Sequence, residues 1–228
     1  MKKVIVLSLG GSLIIPDNVN IKYLKDFKKT ILKNIKKYKF IIVCGGGSIA
    51  RKYINALKKV NLNKEFQSFS GISATRMNAR FMNYFFEINP EHGIPHTMET
   101  LKKYLRKRDI VFCGALEYKP NQTSDSTASQ IANIFKSEFI NLTNVAGLYN
   151  KNPKKYKSAK FIPEISWKEF DKLANKLKFK PGQHFVLDQT ASKVIMKNKI
   201  TTYIIGEDLK QLDNLLNNKK FIGTKISK

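Results

Sequence analysis

Carboxylates are scarce in this chain: 17 Asp and Glu stand against 42 Lys and Arg in 228 residues, a formal net charge of +25. Such an excess suits a nucleic-acid binder, but its distribution points elsewhere. Lys22, Lys25, Lys29, Lys33 and Lys36 alternate with Ile21, Leu24, Phe27, Ile31 and Ile35, which describes the wet side of an amphipathic helix whose apolar stripe turns inward. Cysteine is nearly absent. Cys44 and Cys113 each end an apolar run and precede a glycine, a placement for buried free thiols in a reducing cytosol rather than for a disulfide framework or a metal set. The expected location is therefore cytoplasmic. No run reaches the roughly 18 apolar residues that would span a bilayer, and no linker or low-complexity tail is visible. The opening MKKVIVLSLGGSLIIP mimics a signal peptide, yet it lacks a convincing small-residue cleavage site and its glycines are better used as a loop. No glycine-lysine pair opens a helix after either glycine turn, so a P-loop is set aside.

Glycine is present in two places that share one design. Val4–Leu9 is an apolar, β-branched run that meets Gly10, Gly11 and Ser12, and Phe40–Cys44 meets Gly45, Gly46 and Gly47. After the second turn, Ile49, Ile54 and Leu57 fall at helical spacing, with Arg51 four residues beyond the last glycine. Each is a strand, a tight turn and a helix start. Such a turn lets backbone approach a ligand closely, and the unpaired N–H groups at the helix head attract anions, phosphate above all. A tight connection with no ligand is the alternative for either turn alone. Two together predict one crevice at the carboxyl edge of a parallel sheet.

Strand-like runs at 3–9, 39–44, 109–113, 138–143 and 201–205 alternate with helical patterns at 20–38, 48–60, 72–87, 97–106, 125–136, 166–177, 189–198 and 208–217. That order predicts an α/β chain with a mainly parallel sheet covered on both faces. The length suits one large domain or two intimate lobes.

Three further segments carry polar chemistry. In KPNQTSDSTASQIA, residues 119–132, Asp125 sits where a helix begins, either as a first-turn carboxylate favoured by the helix dipole or as a group that orients cations and water beside anion-binding loops. LTNVAGLYNKNP, residues 142–153, leaves a strand and breaks at Gly147 and Pro153, offering Asn, Thr and Tyr groups to a ligand or forming a plain turn. In VLDQTASKVIMKNKI, residues 186–200, a helix beginning after Asp188 carries Lys193 in its first turns. A solvated lysine is the default there, and a counter-charge for phosphate is the alternative.

Six segments in register, LGGS at 9–12, GGGSIARKYI at 45–54, GISATRMNA at 71–79, PNQTSDSTA at 120–128, TNVAGLY at 143–149 and LDQTASKVI at 187–195, resemble the amino acid kinase family and, within it, the archaeal-type uridylate kinases. The resemblance implies a three-layer α/β/α sandwich of the carbamate kinase-like kind. It implies an acceptor lobe over 1–137 and an ATP lobe over 138–228 within one continuous fold. It further implies Mg²⁺-dependent transfer of a phosphoryl group from ATP to UMP, and a hexamer. Carried over by position, Gly46 resembles a UMP contact, and Gly11, Ser12, Gly47 and Arg51 resemble groups along the phosphate path. The turn Tyr118, Lys119, Pro120, Asn121, Gln122, Thr123 and Ser124 resembles the segment that reads the acceptor, and Thr143, Asn144, Tyr149 and Asn152 fall where relatives hold ATP. Asp125 matches the carboxylate that organises transfer, and Lys193 matches a lysine near the moving phosphoryl group.

Four positions depart from the pattern. Many family members carry lysine where this chain has Ser8, and an acid expected on the acceptor ribose is Ser68. The usual Asp-Gly and Asp-Pro of the ATP loop are Ala146-Gly147 and Asn152-Pro153. These losses leave open a nucleotide-binding regulator of the same fold, a kinase for another small phosphate or carboxylate acceptor, or a basic RNA-binding relative. A dinucleotide fingerprint is satisfied by Gly45, Gly47 and Ala50, but the acidic residue at the required distance, Glu65, lies in NLNKEFQ, which is no strand.

Overall fold

The computed structural model describes residues 2–118, 123–153, 155–176 and 187–228. Among them, β1 (Lys3–Leu9), β2 (Tyr38–Cys44), β3 (Ile110–Cys113), β4 (Glu138–Leu142), β8 (Thr202–Ile205), β9 (Thr224–Ile226) and β7 (Glu164–Ile165) form one seven-stranded sheet. Its order is β3-β2-β1-β4-β8-β9-β7. The first five strands in that order are parallel, β9 runs antiparallel to its neighbour β8, and β7 is parallel to β9. Strands covered on both faces read as unbroken apolar runs rather than alternating ones, which is why VIVLSL and FIIVC announced themselves. A hairpin of β5 (Leu148–Tyr149) and β6 (Phe161–Ile162) stands apart from the sheet.

Two helical layers follow from the two faces. Ile5, Leu7, Leu9, Phe40, Ile42 and Phe112 pack with α2 (Ile21–Asn34), α4 (Lys64–Phe85) and α9 (Leu209–Leu216). Val6, Ile41, Val43 and Phe139 pack with α5 (Met98–Lys107), α6 (Ser124–Ile134), α7 (Trp167–Lys176) and α8 (Gln189–Asn198). Cys44 belongs to the first face and Cys113 to the second. Neighbouring strands therefore bring the thiols near while the sheet separates them, and burial pushes Cys113 up to about 12. Both are free.

Some elements differ from their sequence patterns. The helix expected from residue 72 starts at Lys64, capped by Asn63, whose side chain accepts from Phe66 N–H. Gly71 and three serines weaken its first turns locally, and packing against α3 (Gly47–Lys59) carries them. On α2 the inward stripe uses Tyr23, while Ile21 is exposed. The strands β5, β6, β7 and β9 span two or three residues each, too few for a period to register. No helix among the described residues is long and apolar enough to cross a membrane.

Candidate active site

The two glycine turns pack against each other, backbone to backbone. Gly10 N–H donates to the Leu142 carbonyl at 3.1 Å and Gly45 N–H to the Leu9 carbonyl at 2.9 Å. A Cβ on Gly11 would stand 2.0 Å from the Gly47 nitrogen, and one on Gly45 would stand 2.4 Å from the Gly11 nitrogen. Side chains are thus barred by the crossing itself, whether or not a ligand is bound. From α4, Asn78 Nδ2 donates to the Gly45 carbonyl at 2.7 Å and fixes the second turn. The turns lead into α1 (Gly11–Ile14) and α3, and neither helix head has a side-chain cap. An uncapped head presents N–H groups and positive potential to whatever enters the crevice.

Two more helix heads point to the same edge, because α6 and α8 each run back towards the start of the strand that follows. Thr123 caps α6 in a reciprocal box with Ser126, and Asp188 caps α8 by accepting from Thr190 N–H at 2.7 Å and Ala191 N–H at 2.9 Å. The Thr123 hydroxyl also donates to Asp188, joining the two heads. Asp125, in the first turn of α6, accepts a hydrogen bond from Ser8 Oγ at 2.7 Å across 117 residues of sequence. Burial and the negative charge of Asp188 push Asp125 up to about 7, against the opposing pull of the Ser8 hydrogen bond.

The remaining candidates are spread around this centre. Arg51 is exposed on α3, its Nη2 3.5 Å from the Pro16 carbonyl oxygen. Lys193 is exposed in the second turn of α8. Gly46 and Ser12 are half-buried at the turns. Thr143 and Asn144 follow β4, with Thr143 N–H donating to the Ile205 carbonyl at 2.9 Å. Tyr149 meets Phe161 edge-on at 5.4 Å, and the Asn152 carbonyl caps the turn at Lys155 and Tyr156. Ser68 is half-buried on α4, its hydroxyl turned back onto the Lys64 carbonyl at 2.8 Å. Beside it Phe69 stacks on Tyr118, ring centroids 4.8 Å apart. Lys119, Pro120, Asn121 and Gln122 lie outside the described residues.

Sequence patterns missed three contributors. Asp188 was legible only as a helix start. Arg76 Nε donates to the Ala115 carbonyl at 3.0 Å and Nη2 to that of Leu116, while Thr75 Oγ1 accepts from Ala115 N–H at 3.0 Å. Together Thr75 and Arg76 clamp the chain leaving β3 against α4. Both fall within GISATRMNA, but only the tertiary contact reveals this role, since they sit in an ordinary helical repeat.

A model of the amino acid kinase family matches residues 3–206. The chain belongs to the amino acid kinase family. Among its relatives, a uridylate kinase from Thermoplasma volcanium is 34% identical over 228 residues, covering 99% of this chain and 98% of that protein. One from Archaeoglobus fulgidus is 32% identical over 202 residues, 88% of this chain and 90% of the relative. The crystal structure of a uridylate kinase from Archaeoglobus fulgidus superposes with a TM-score of 0.83 at 29% identity, with both chains fully covered. That of a UMP kinase from Ureaplasma parvum gives 0.78 at 23% identity, again over both whole chains, a likeness of fold. The fold of the archaeal uridylate kinase is thus kept over the whole chain.

Proposed function

We propose that the chain is an ATP-dependent UMP kinase, transferring the γ-phosphoryl group to UMP to give UDP and ADP. The observation that carries this is the convergence of two crossed glycine turns and the heads of α3, α6 and α8 at one sheet edge around Asp125. Full-length likeness to uridylate kinases supports the acceptor. Phosphoryl transfer asks the protein mainly for alignment and charge stabilisation, and backbone N–H groups, one arginine and one lysine suit that task.

In this reading Gly46, Ser68, Tyr118, Thr123 and Ser124 serve UMP, as do residues 119–122, which lie outside the described residues. Gly11, Ser12, Gly47 and Arg51 line the phosphate path, and Thr143, Asn144, Tyr149 and Asn152 hold ATP. Strands from residues 1–137 make the β3-β2-β1 side of the sheet and later strands the β4-β8-β9-β7 side, consistent with an acceptor lobe and an ATP lobe. Among the described residues no group of three or more His, Cys, Asp or Glu gathers as a cage. In the kinase reading Mg²⁺ would come in on the phosphates of ATP, where it neutralises their charge. The reading places the enzyme in the cytoplasm as a homo-oligomer, a hexamer like its family, with no membrane or nucleic-acid partner.

The test is coupled ADP release with UMP, CMP, AMP, GMP and small phosphates, with and without a divalent cation. Turnover confined to UMP with the cation present is expected. Turnover on only a non-nucleotide overturns the acceptor, and none at all favours a nucleotide-binding regulator.

Arg51→Ala is expected to lower kcat/KM for UMP and ATP together, by about 10-fold to 100-fold, as befits loss of charge-assisted hydrogen bonds to phosphate oxygens. The exposed side chain has little to contribute to folding. Wild-type constants for both substrates would make Arg51 a solvated surface group.

A further inference from the structure

Ser8 is fully buried near the carboxyl end of β1, an interior strand flanked by β2 and β4, yet carries a hydroxyl. In register, the row across the sheet at this level runs Val43, Ser8, Asn141, Ile204. Parallel neighbours in register share a face, and Val43 and Ile204 place that face under α6 and α8. A hydroxyl taken this deep needs a partner. It has one in Asp125 Oδ1, at 2.7 Å.

Resting on the kinase reading, we propose that Ser8 is a positioning residue for phosphoryl transfer, its hydroxyl holding the Asp125 carboxylate in place and in its charged form. Where many relatives have a lysine, the chain puts a neutral donor. A lysine in that position brings its own cation to the crevice. Serine brings none, so the charge on Asp125 is kept by the head of α6, by hydrogen bonding and by whatever cations the substrates and α8 deliver.

The surroundings make that single bond count. Of the elements packed against α6, β1, β2 and β4 show Ser8, Val43 and Asn141 at this level, none of them charged. The head of α8 brings Asp188, whose charge opposes ionisation of Asp125, and one turn on it carries Lys193, which is exposed. Burial opposes ionisation as well. The Ser8 hydrogen bond acts in the other direction. Its loss disfavours the anion, so the Asp125 midpoint must move upward from about 7.

The experiment compares Ser8→Ala and Ser8→Thr with the wild type in two measurements. The first is a ¹³C-carboxyl titration of Asp125 in the nucleotide-free protein, assigned by its loss in Asp125→Asn. The second is kcat against pH. In Ser8→Ala the midpoint and the acid limb of kcat are expected to move up together by about one pH unit, so that turnover at pH 7 falls about fivefold further than on the alkaline plateau. The plateau itself should fall less than about tenfold, since only a neutral hydroxyl is removed. Ser8→Thr, which keeps the hydroxyl on a strand-favouring side chain, is expected to restore both curves. A purely space-filling Ser8 moves neither curve, and an unmoved midpoint in a folded Ser8→Ala protein overturns the proposal. So does a Ser8→Thr protein that behaves like Ser8→Ala. A shifted midpoint in a protein with no turnover on any acceptor would keep the Ser8–Asp125 coupling and count against the kinase reading, which separates the two failures.

Discussion

Asp125→Asn is expected to melt higher than the wild type at pH 8 and to turn over about 10²-fold to 10³-fold more slowly. The two effects share one cause. Asp125 titrates at about 7 in the folded protein against an ordinary 3.8, chiefly because burial and then Asp188 disfavour its charge. A carboxyl with a raised folded value holds its proton more tightly folded than unfolded, so stability falls as pH rises from about 4 to about 7 and stays low above that. A shift of about three units bounds the penalty near about 4 kcal/mol. The amide avoids the charge and still accepts from Ser8 through its oxygen, but it buries an NH₂ that must find a partner, so about 1 to 3 kcal/mol is the realistic gain. For a chain of this size that is about 2 to 12 °C in Tm. Calorimetry at pH 5 and pH 8 checks the sign: the gain should appear at pH 8 and shrink towards pH 5. An equal change at both values would mean that packing, not charge, sets it.

Such a site holds a group the fold would be more stable without, which is the usual mark of chemistry placed against stability. It also shows where sequence legibility stops. Asp125 was visible as a helix-start carboxylate because Thr123 and the Ala128, Ile131 stripe mark the cap locally. Its partner Ser8 was visible only as a missing lysine, because the contact depends on β1 lying under α6, a matter of sheet order rather than of any window of sequence. Asp188 repeats the lesson: its capping role is local, whereas its link to Thr123 needs two crossover helices side by side.

The glycines had a different limit. Their number suggested a phosphate cradle, and the crossing of the turns shows that Gly11 and Gly45 are demanded by backbone contact alone. A cradle and a crossing ask for the same residue, so composition does not tell them apart. The parallel core strands were legible because each is buried on both faces and reads as one apolar run. The antiparallel β9, with Lys225 between its buried Thr224 and Ile226, offers no such run.

Lys193→Met is expected to cost about 10²-fold to 10³-fold in turnover at saturating substrates, with circular dichroism unchanged. In the second turn of α8, above the Asp188 cap, this lysine is exposed and engaged in no ion pair among the described residues. Methionine keeps most of the length of its stem, helix propensity is nearly equal, and neither burial nor a cap is touched. Stability should therefore move by no more than about 0.5 kcal/mol. Activity is another matter. Under the proposed kinase reading, β1 with Ser8 adds no cation to the crevice, and the charge that develops on the transferring group would fall to Lys193, Arg51 and the metal on the nucleotide. One preorganised donor in such a position is worth roughly 3 to 4 kcal/mol of the barrier. The loss should appear in kcat more than in KM, because the interaction strengthens as the phosphoryl group moves. Ser8→Ala on the alkaline plateau is the internal comparison, expected to lose less than about tenfold. A silent Lys193→Met, or one less damaging than Ser8→Ala, would remove Lys193 from the transfer step and leave Arg51 and the nucleotide's own metal to carry the charge.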